Sequence, residues 1–377
     1  MIDLFQPLDD IVKSPHEYAR NWKAGTGRPV VGYMCSYAPE EIIHAAGALP
    51  FRIFSGHGSI SRADAHLQAY SCSLVRGALE DALDGNLNFL DGMVFPHTCD
   101  SIQRLSDIWR LNVPTGFLID VSVPAVLNTP HARDYLVTVL EDFKVMLESR
   151  LDQSITDESL QTSARLQNAI RDQLGQVYAL KQAHPDIISG SQLQTLFQAS
   201  MIMDRAEYSE HLERILNDLN KRTGLLKPDS PDTSNRVILS GSLCGFSNIY
   251  QIVESTGARI VGDDFCSGLR YTLGMVPIEP KMIPAIASRY LDRVVCPAKH
   301  RGLTSRSDSL VQLAKKQQAN GVIFLLLKFC DPHAFDYPWL KSRLDAAGIP
   351  SMLAEIEDQA ASEGQLKTRI EAFVEML

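Results

Sequence analysis

The chain reads as an α/β protein: two parallel-sheet domains with a helical segment between them. Three observations predict this. Short apolar runs alternate with amphipathic stretches through residues 1–128 and again through 233–377, the pattern of strands joined by crossover helices. Residues 129–232 carry helical periodicity and no strand signal. Six of the seven cysteines directly follow predicted strands, as residues on one edge of a parallel sheet would.

A chain of 377 residues is too long for one ordinary core. Its apolar share of 45% and charged share of 21% are those of a globular protein. The net charge of −9 leaves no global basic surface for nucleic acid, although a local basic pocket for an anion is compatible with it. The start, Met1-Ile2-Asp3-Leu4-Phe5-Gln6, has an early acid and no long apolar run, which argues against a secretory signal. The longest apolar run, Gly321 to Leu327, is far short of the roughly 20 residues that span a bilayer. An odd cysteine count spread over a long chain argues against disulfides, and the lack of any CxxC pair removes the usual support for zinc-ribbon and thioredoxin readings. The expectation is a cytoplasmic protein with no membrane or nucleic-acid partner.

In the first unit, Asp10 to Lys23 is a helical lead-in. Arg28 to Met34 is a strand that ends at Cys35. Pro39-Glu40-Glu41 opens a helix, with proline near its first position and two acids in its first turn. Gly47 closes that helix, and Leu49 to Phe54 forms the second strand. Cys72 sits at a helix start, where free N–H groups favour a thiolate. Gly92 to Pro96 is a strand, Cys99 follows, and Ser101 to Arg110 is an amphipathic helix. Pro114 to Asp120 is the fourth strand. The middle segment predicts helices over Asp134–Leu151, Thr156–His184, Ser191–Met203 and Glu207–Leu219, then a linker, Lys227 to Asp232. The second unit predicts strands at Arg236–Gly241, Ala258–Asp264, Asp292–Val295, Gly321–Phe329 and Ser351–Glu355. Helices over Ser247–Glu254, Ser307–Gln318, Trp339–Ala346 and Glu363–Glu375 fit between them.

Cys35, Cys99, Cys244, Cys266, Cys296 and Cys330 follow predicted strands; Cys72 does not. Facing sheet edges would bring such residues to one cleft, as metal or cluster ligands. Any one of them alone fits core packing, because a free cysteine behaves as a small hydrophobe. Zinc competes as an occupant, since His97, His300 and His333 flank Cys99, Cys296 and Cys330. Ser240 to Ser247 leaves a strand and opens a helix, a phosphate-cradling placement that is neither GxGxxG nor a P-loop. Arg270 is set either to bind an anion or to pair with an aspartate and brace its loop. Glu40 and Glu41 lie about 100° apart on a helix, so one can face the cleft as a general base or cluster neighbour. Complementing the helix N-terminus is the equally simple role.

Five blocks, taken together, carry a resemblance. They are Gly32-Tyr33-Met34-Cys35-Ser36-Tyr37-Ala38-Pro39-Glu40-Glu41, Tyr70-Ser71-Cys72-Ser73, His97-Thr98-Cys99-Asp100, Gly262-Asp263-Asp264-Phe265-Cys266, and Leu327-Lys328-Phe329-Cys330-Asp331-Pro332-His333. The sequence resembles the 2-hydroxyacyl-CoA dehydratase D-component family, which also includes two subunits of the ATP-dependent benzoyl-CoA reductases. The resemblance implies two flavodoxin-like domains with helical additions. It implies a [4Fe-4S] cluster on Cys72, Cys99 and Cys330, with the fourth iron left for water, a sulfur species or substrate. Glu41 matches the family's Pro-x-Glu carboxylate and inherits its catalytic role. The implied reaction is one-electron reduction of an acyl-CoA thioester, leading to dehydration (a lyase) or ring reduction (an oxidoreductase). A separate ATP-hydrolysing iron–sulfur activator supplies the electron. The implied assembly pairs the chain with a homologous second subunit or with a second copy. An electron-relay or double-cubane-type iron–sulfur subunit that binds no substrate is the alternative, and Cys35, Cys244, Cys266 and Cys296 have no assigned role.

Overall fold

The computed structural model describes residues 3–54, 59–224, 234–242, 249–293, 296–302, 304–356 and 363–377. Among the described residues, eight strands form two four-stranded sheets. The first holds β1 (Val30–Tyr33), β2 (Leu49–Arg52), β3 (Gly92–Pro96) and β4 (Phe117–Val121), in the order β2-β1-β3-β4. The second holds β5 (Arg236–Gly241), β6 (Arg259–Asp264), β7 (Gly321–Leu327) and β8 (Ser351–Ile356), in the order β6-β5-β7-β8. All pairings are parallel. The order is the same in both sheets, so each has a switch point between its first and third strands, where α/β sheets open a crevice.

The strands follow from their residues. β7 is Gly-Val-Ile-Phe-Leu-Leu-Leu and is buried throughout, as a central strand covered on both faces must be. β2 contains Pro50 and lies at the sheet edge, where a missing N–H costs no ladder bond. A Cβ on Gly241 would lie 1.9 Å from the Leu325 carbonyl oxygen, so only glycine lets β5 end this close to β7. That close approach places the next residue, Ser242, whose hydroxyl accepts the Leu327 N–H at 2.9 Å.

The helical segment shares its core with the first sheet. Ile170, Leu174 and Val177 of the Asp157–Ala183 helix, Phe197 of the Gly190–Ile202 helix and Leu212 of the Arg205–Thr223 helix pack with Phe51, Leu79, Met93 and Trp109. On the other face, Leu136, Leu140 and Phe143 of the Ala132–Leu151 helix join Val31, Val94 and Ile119. So do Met282, Ile286 and Tyr290 of the Met282–Asp292 helix, a piece of the second half laid on the first sheet. The predicted helices of residues 129–232 are all present, and the Asp157–Ala183 helix starts from a capping box of Thr156 and Ser159.

Two expectations are corrected. Asp292 does not begin a strand: it closes the Met282–Asp292 helix, and Val294 and Val295 lie outside the described residues. Buried Met282, Ile283, Ile286 and Tyr290 recur at helical spacing, a longer signal than the valine pair that reads as a strand. The lead-in is two helices, Gln6–Lys13 and Pro15–Thr26, broken where Pro15 follows Ser14. The Lys227–Asp232 linker lies outside the described residues, as do Cys244 and most of the Ser240–Ser247 run. No helix among the described residues is long and apolar enough to cross a membrane.

Candidate functional site

Three cysteines occupy one kind of position. Cys72 is the N-cap of the Ser73–Leu83 helix, Cys99 of the Asp100–Asn112 helix and Cys330 of the Asp331–Ala346 helix. Cys99 follows β3 and Cys330 follows β7, the corresponding strands of the two sheets. The chain reaches Cys330 through Phe329, whose φ of 64° is a left-handed conformation uncommon outside glycine. That turn redirects the backbone as β7 ends.

The thiols of Cys72 and Cys99 both act on Cys330, so three cysteines from separate segments share one electrostatic neighbourhood. Burial pushes all three thiols up, Cys99 to about 12, and their mutual proximity adds to the effect at Cys99 and Cys330. Backbone N–H groups of the first helical turns oppose it: Val75 and Leu74 at Cys72, Ile102 at Cys99 and His333 at Cys330. The Ser242 hydroxyl adds to this at Cys330. None of the three makes a side-chain capping hydrogen bond, so the helix N-termini keep donors for an anionic sulfur. Among the described residues no three His, Cys, Asp or Glu side chains gather closely enough to hold a single metal ion. A cluster asks less, because each thiolate binds its own iron.

A cleft of about 870 Å³ opens beside Cys99. The first half contributes Thr98 to Ser101, Val126 and Asn128. The second contributes Cys296 to His300, Arg306, Asp331 and Asp336, with Phe335 and Trp339 as an apolar wall. Its two sides are tied where Val126 pairs with His300: the Leu127 N–H donates to the His300 carbonyl and the His300 N–H to the Ala125 carbonyl, each at 2.8 Å. Two of the three flanking histidines, His97 and His333, are not among the cleft residues. His97 lies 3.2 Å from Asp120, and His333 is buried and held neutral well below the usual histidine range by that burial and by Arg306 and Arg270. Arg270 braces its loop: its Nε lies 3.2 Å from Asp264, which also takes Arg306 at 2.6 Å.

A profile of the 2-hydroxyglutaryl-CoA dehydratase D-component matches residues 35–377. The chain belongs to the 2-hydroxyglutaryl-CoA dehydratase D-component family. It is 29% identical to the (R)-phenyllactyl-CoA dehydratase beta subunit of Clostridium sporogenes, over 99% of this chain and 98% of that one. Against the lactoyl-CoA dehydratase subunit beta of Anaerotignum propionicum it is 27% identical, over 99% and 98%. A benzoyl-CoA reductase subunit of Thauera aromatica is 28% identical, over 95% and 94%.

The carboxylates of this D-component chain sit elsewhere. Glu41, expected to be catalytic, is wholly buried and is not among the cleft residues. It accepts from Arg171 at 2.5 Å and from the Tyr290 hydroxyl at 3.0 Å, with Arg289 at 3.6 Å. Burial alone would raise its pKa; Arg171 and Arg289 overcome that and hold it at about 2. Glu40 is buried too, with Arg205 at 3.1 Å and the Tyr271 hydroxyl at 3.0 Å. The two acids therefore share one ion network joining the Glu40–Ala45 helix to the middle helices and to the second half.

Two further buried cations, Lys299 of the cleft and Arg293 near Cys35 and Cys296, have no such partners among the described residues. Lys299 is 3% exposed and donates to the carbonyls of Val123 at 2.8 Å and His97 at 3.3 Å. Arg293 is 6% exposed, stacks 4.0 Å over the Tyr37 ring and reaches the Ser36 hydroxyl at 3.5 Å. Burial lowers the Lys299 pKa, and the thiols of Cys35, Cys296 and Cys99 partly restore it. Sequence reasoning missed both residues. The one clue is local: Lys299 lies three residues after Cys296, in Cys-Pro-Ala-Lys-His.

Proposed function

We propose that this chain is the iron–sulfur subunit of an ATP-activated acyl-CoA enzyme of the 2-hydroxyacyl-CoA dehydratase or benzoyl-CoA reductase type. Cys72, Cys99 and Cys330 are its cluster ligands. The observation that carries this reading is their shared geometry: one buried and two half-buried thiols at helix N-caps, drawn from both halves of the chain, in one neighbourhood. The residues fit a [4Fe-4S] cluster, which would supply one-electron chemistry at low potential next to a thioester carbonyl.

The chain's own part is binding and orientation. The first-turn N–H groups and Ser242 favour thiolates, and cluster binding displaces the protons that burial holds on the free thiols. The cleft beside Cys99, with one apolar wall, is where the acyl part of a substrate reaches the site. Glu41 enters this reading as a positioning residue, because it braces the turn after Cys35 from outside the cleft. A homologous subunit or second copy, and a separate ATP-hydrolysing activator, complete the cytoplasmic system.

The test is anoxic purification with iron and sulfide analysis. Wild-type protein should hold close to four irons per chain, the content of the proposed cluster. Cys72→Ser, Cys99→Ser and Cys330→Ser should each lose most of it, while Cys266→Ala keeps it. Colourless, iron-free wild-type protein would sink the proposal. Adding acyl-CoAs should change the cluster's EPR signal.

A further inference from the structure

We infer that Lys299 and Arg293 are the cluster's counter-charge: two buried cations, Lys299 in the cleft with Cys99 and Arg293 on the Ser36 hydroxyl next to Cys35, that stabilise its reduced, more negative form. The inference rests on the three-cysteine reading above.

Lys299 Nζ is fixed on the carbonyl of His97, two residues before Cys99, and on that of Val123. Lys299 and Cys99 line the same cleft. The backbone N–H of Lys299 donates to the Cys296 carbonyl at 2.9 Å, which locks the ammonium-bearing turn onto the cysteine turn. Arg293 lies against the rings of Tyr37 and Tyr290, 4.0 and 5.0 Å from their centroids, with Ser36 its hydroxyl partner next to Cys35.

Among the described residues, neither Lys299 nor Arg293 has a carboxylate within ion-pair distance, whereas buried Arg171, Arg205, Arg270, Arg289 and Arg306 each do. A buried charge left alone costs several kcal/mol, so such cations are kept where an anion completes them. A cluster held by three thiolates is that anion. Taking up one electron adds a negative charge beside two fixed positive ones, so the cations favour the reduced state.

The experiment is a redox titration of the holoprotein followed by EPR, with iron counted first. Lys299→Met should keep wild-type iron and disfavour the reduced cluster about tenfold, which for a one-electron couple is roughly 59 mV toward more negative potential. Arg293→Met should move it the same way. Lys299→Arg should restore the wild-type midpoint, and Lys367→Met, at an exposed position of the C-terminal helix, should leave it unchanged. An unchanged midpoint in an iron-replete Lys299→Met protein overturns the inference. If Lys299→Met loses iron, rescue by Lys299→Arg supports a need for charge, and loss in both variants overturns it. Iron-free wild-type protein would refute the three-cysteine reading instead.

Discussion

Arg171, Arg205 and Arg289 meet Glu40 and Glu41 inside the protein, whereas Arg293 and Lys299 meet aromatic rings, carbonyls and thiols. Both groups are buried to a similar degree. The first carries its own anions and so works as a structural joint. It links the helix after Cys35 to residues 130 to 249 positions away. The second has no carboxylate within ion-pair distance among the described residues and lies near the thiols of Cys35 and Cys296. Within one molecule, burial alone does not say what a cation is for; its partner does.

The largest test of that contrast is Glu41→Ala. It strands buried Arg289 and leaves buried Arg171 with Glu40 alone, at 3.6 Å, and should lower the urea stability of iron-free protein by about 3–5 kcal/mol. A loss under about 1 kcal/mol would show that the network is not a joint. The next test uses pH. Glu41 is held at about 2 in the fold, below its unfolded value of 4.5. The stability it contributes is therefore complete above pH 4.5 and is lost as pH falls toward 2. That loss should be on the order of 3 kcal/mol and absent from Glu41→Gln. The smallest effect belongs to Lys299→Met without the cluster. The lost carbonyl bonds and the relief of an unpaired buried charge oppose each other, so stability should stay within about 1 kcal/mol of wild type. A loss as large as that of Glu41→Ala would erase the distinction between the two groups.

Much of the fold is legible in the sequence because its signals are local. Alternation of apolar runs and helical periodicity locates β1 to β4, the middle helices and β7, and Pro15 marks a helix start. The exception is instructive. Val294-Val295 reads as a strand, yet the residues before it end a helix whose apolar face rests on the first sheet. Nothing local announces that docking. The site is legible in part. Helix starts at Cys72 and Cys99, and the strand end before Cys330, are local features, and the resemblance names the same three residues. The roles of Glu40 and Glu41 are not, since their arginine partners lie on helices far along the chain.

By itself, then, the sequence determined two βα-alternating halves around a helical middle, and cysteines where strands give way to helices. These depend on periodicity and capping, which act over a few residues. Only the tertiary structure decided which charges find anions. It gave both glutamates to arginines and left Lys299 and Arg293 facing thiols, because packing distant helices against one sheet sets those distances and no short-range pattern encodes them.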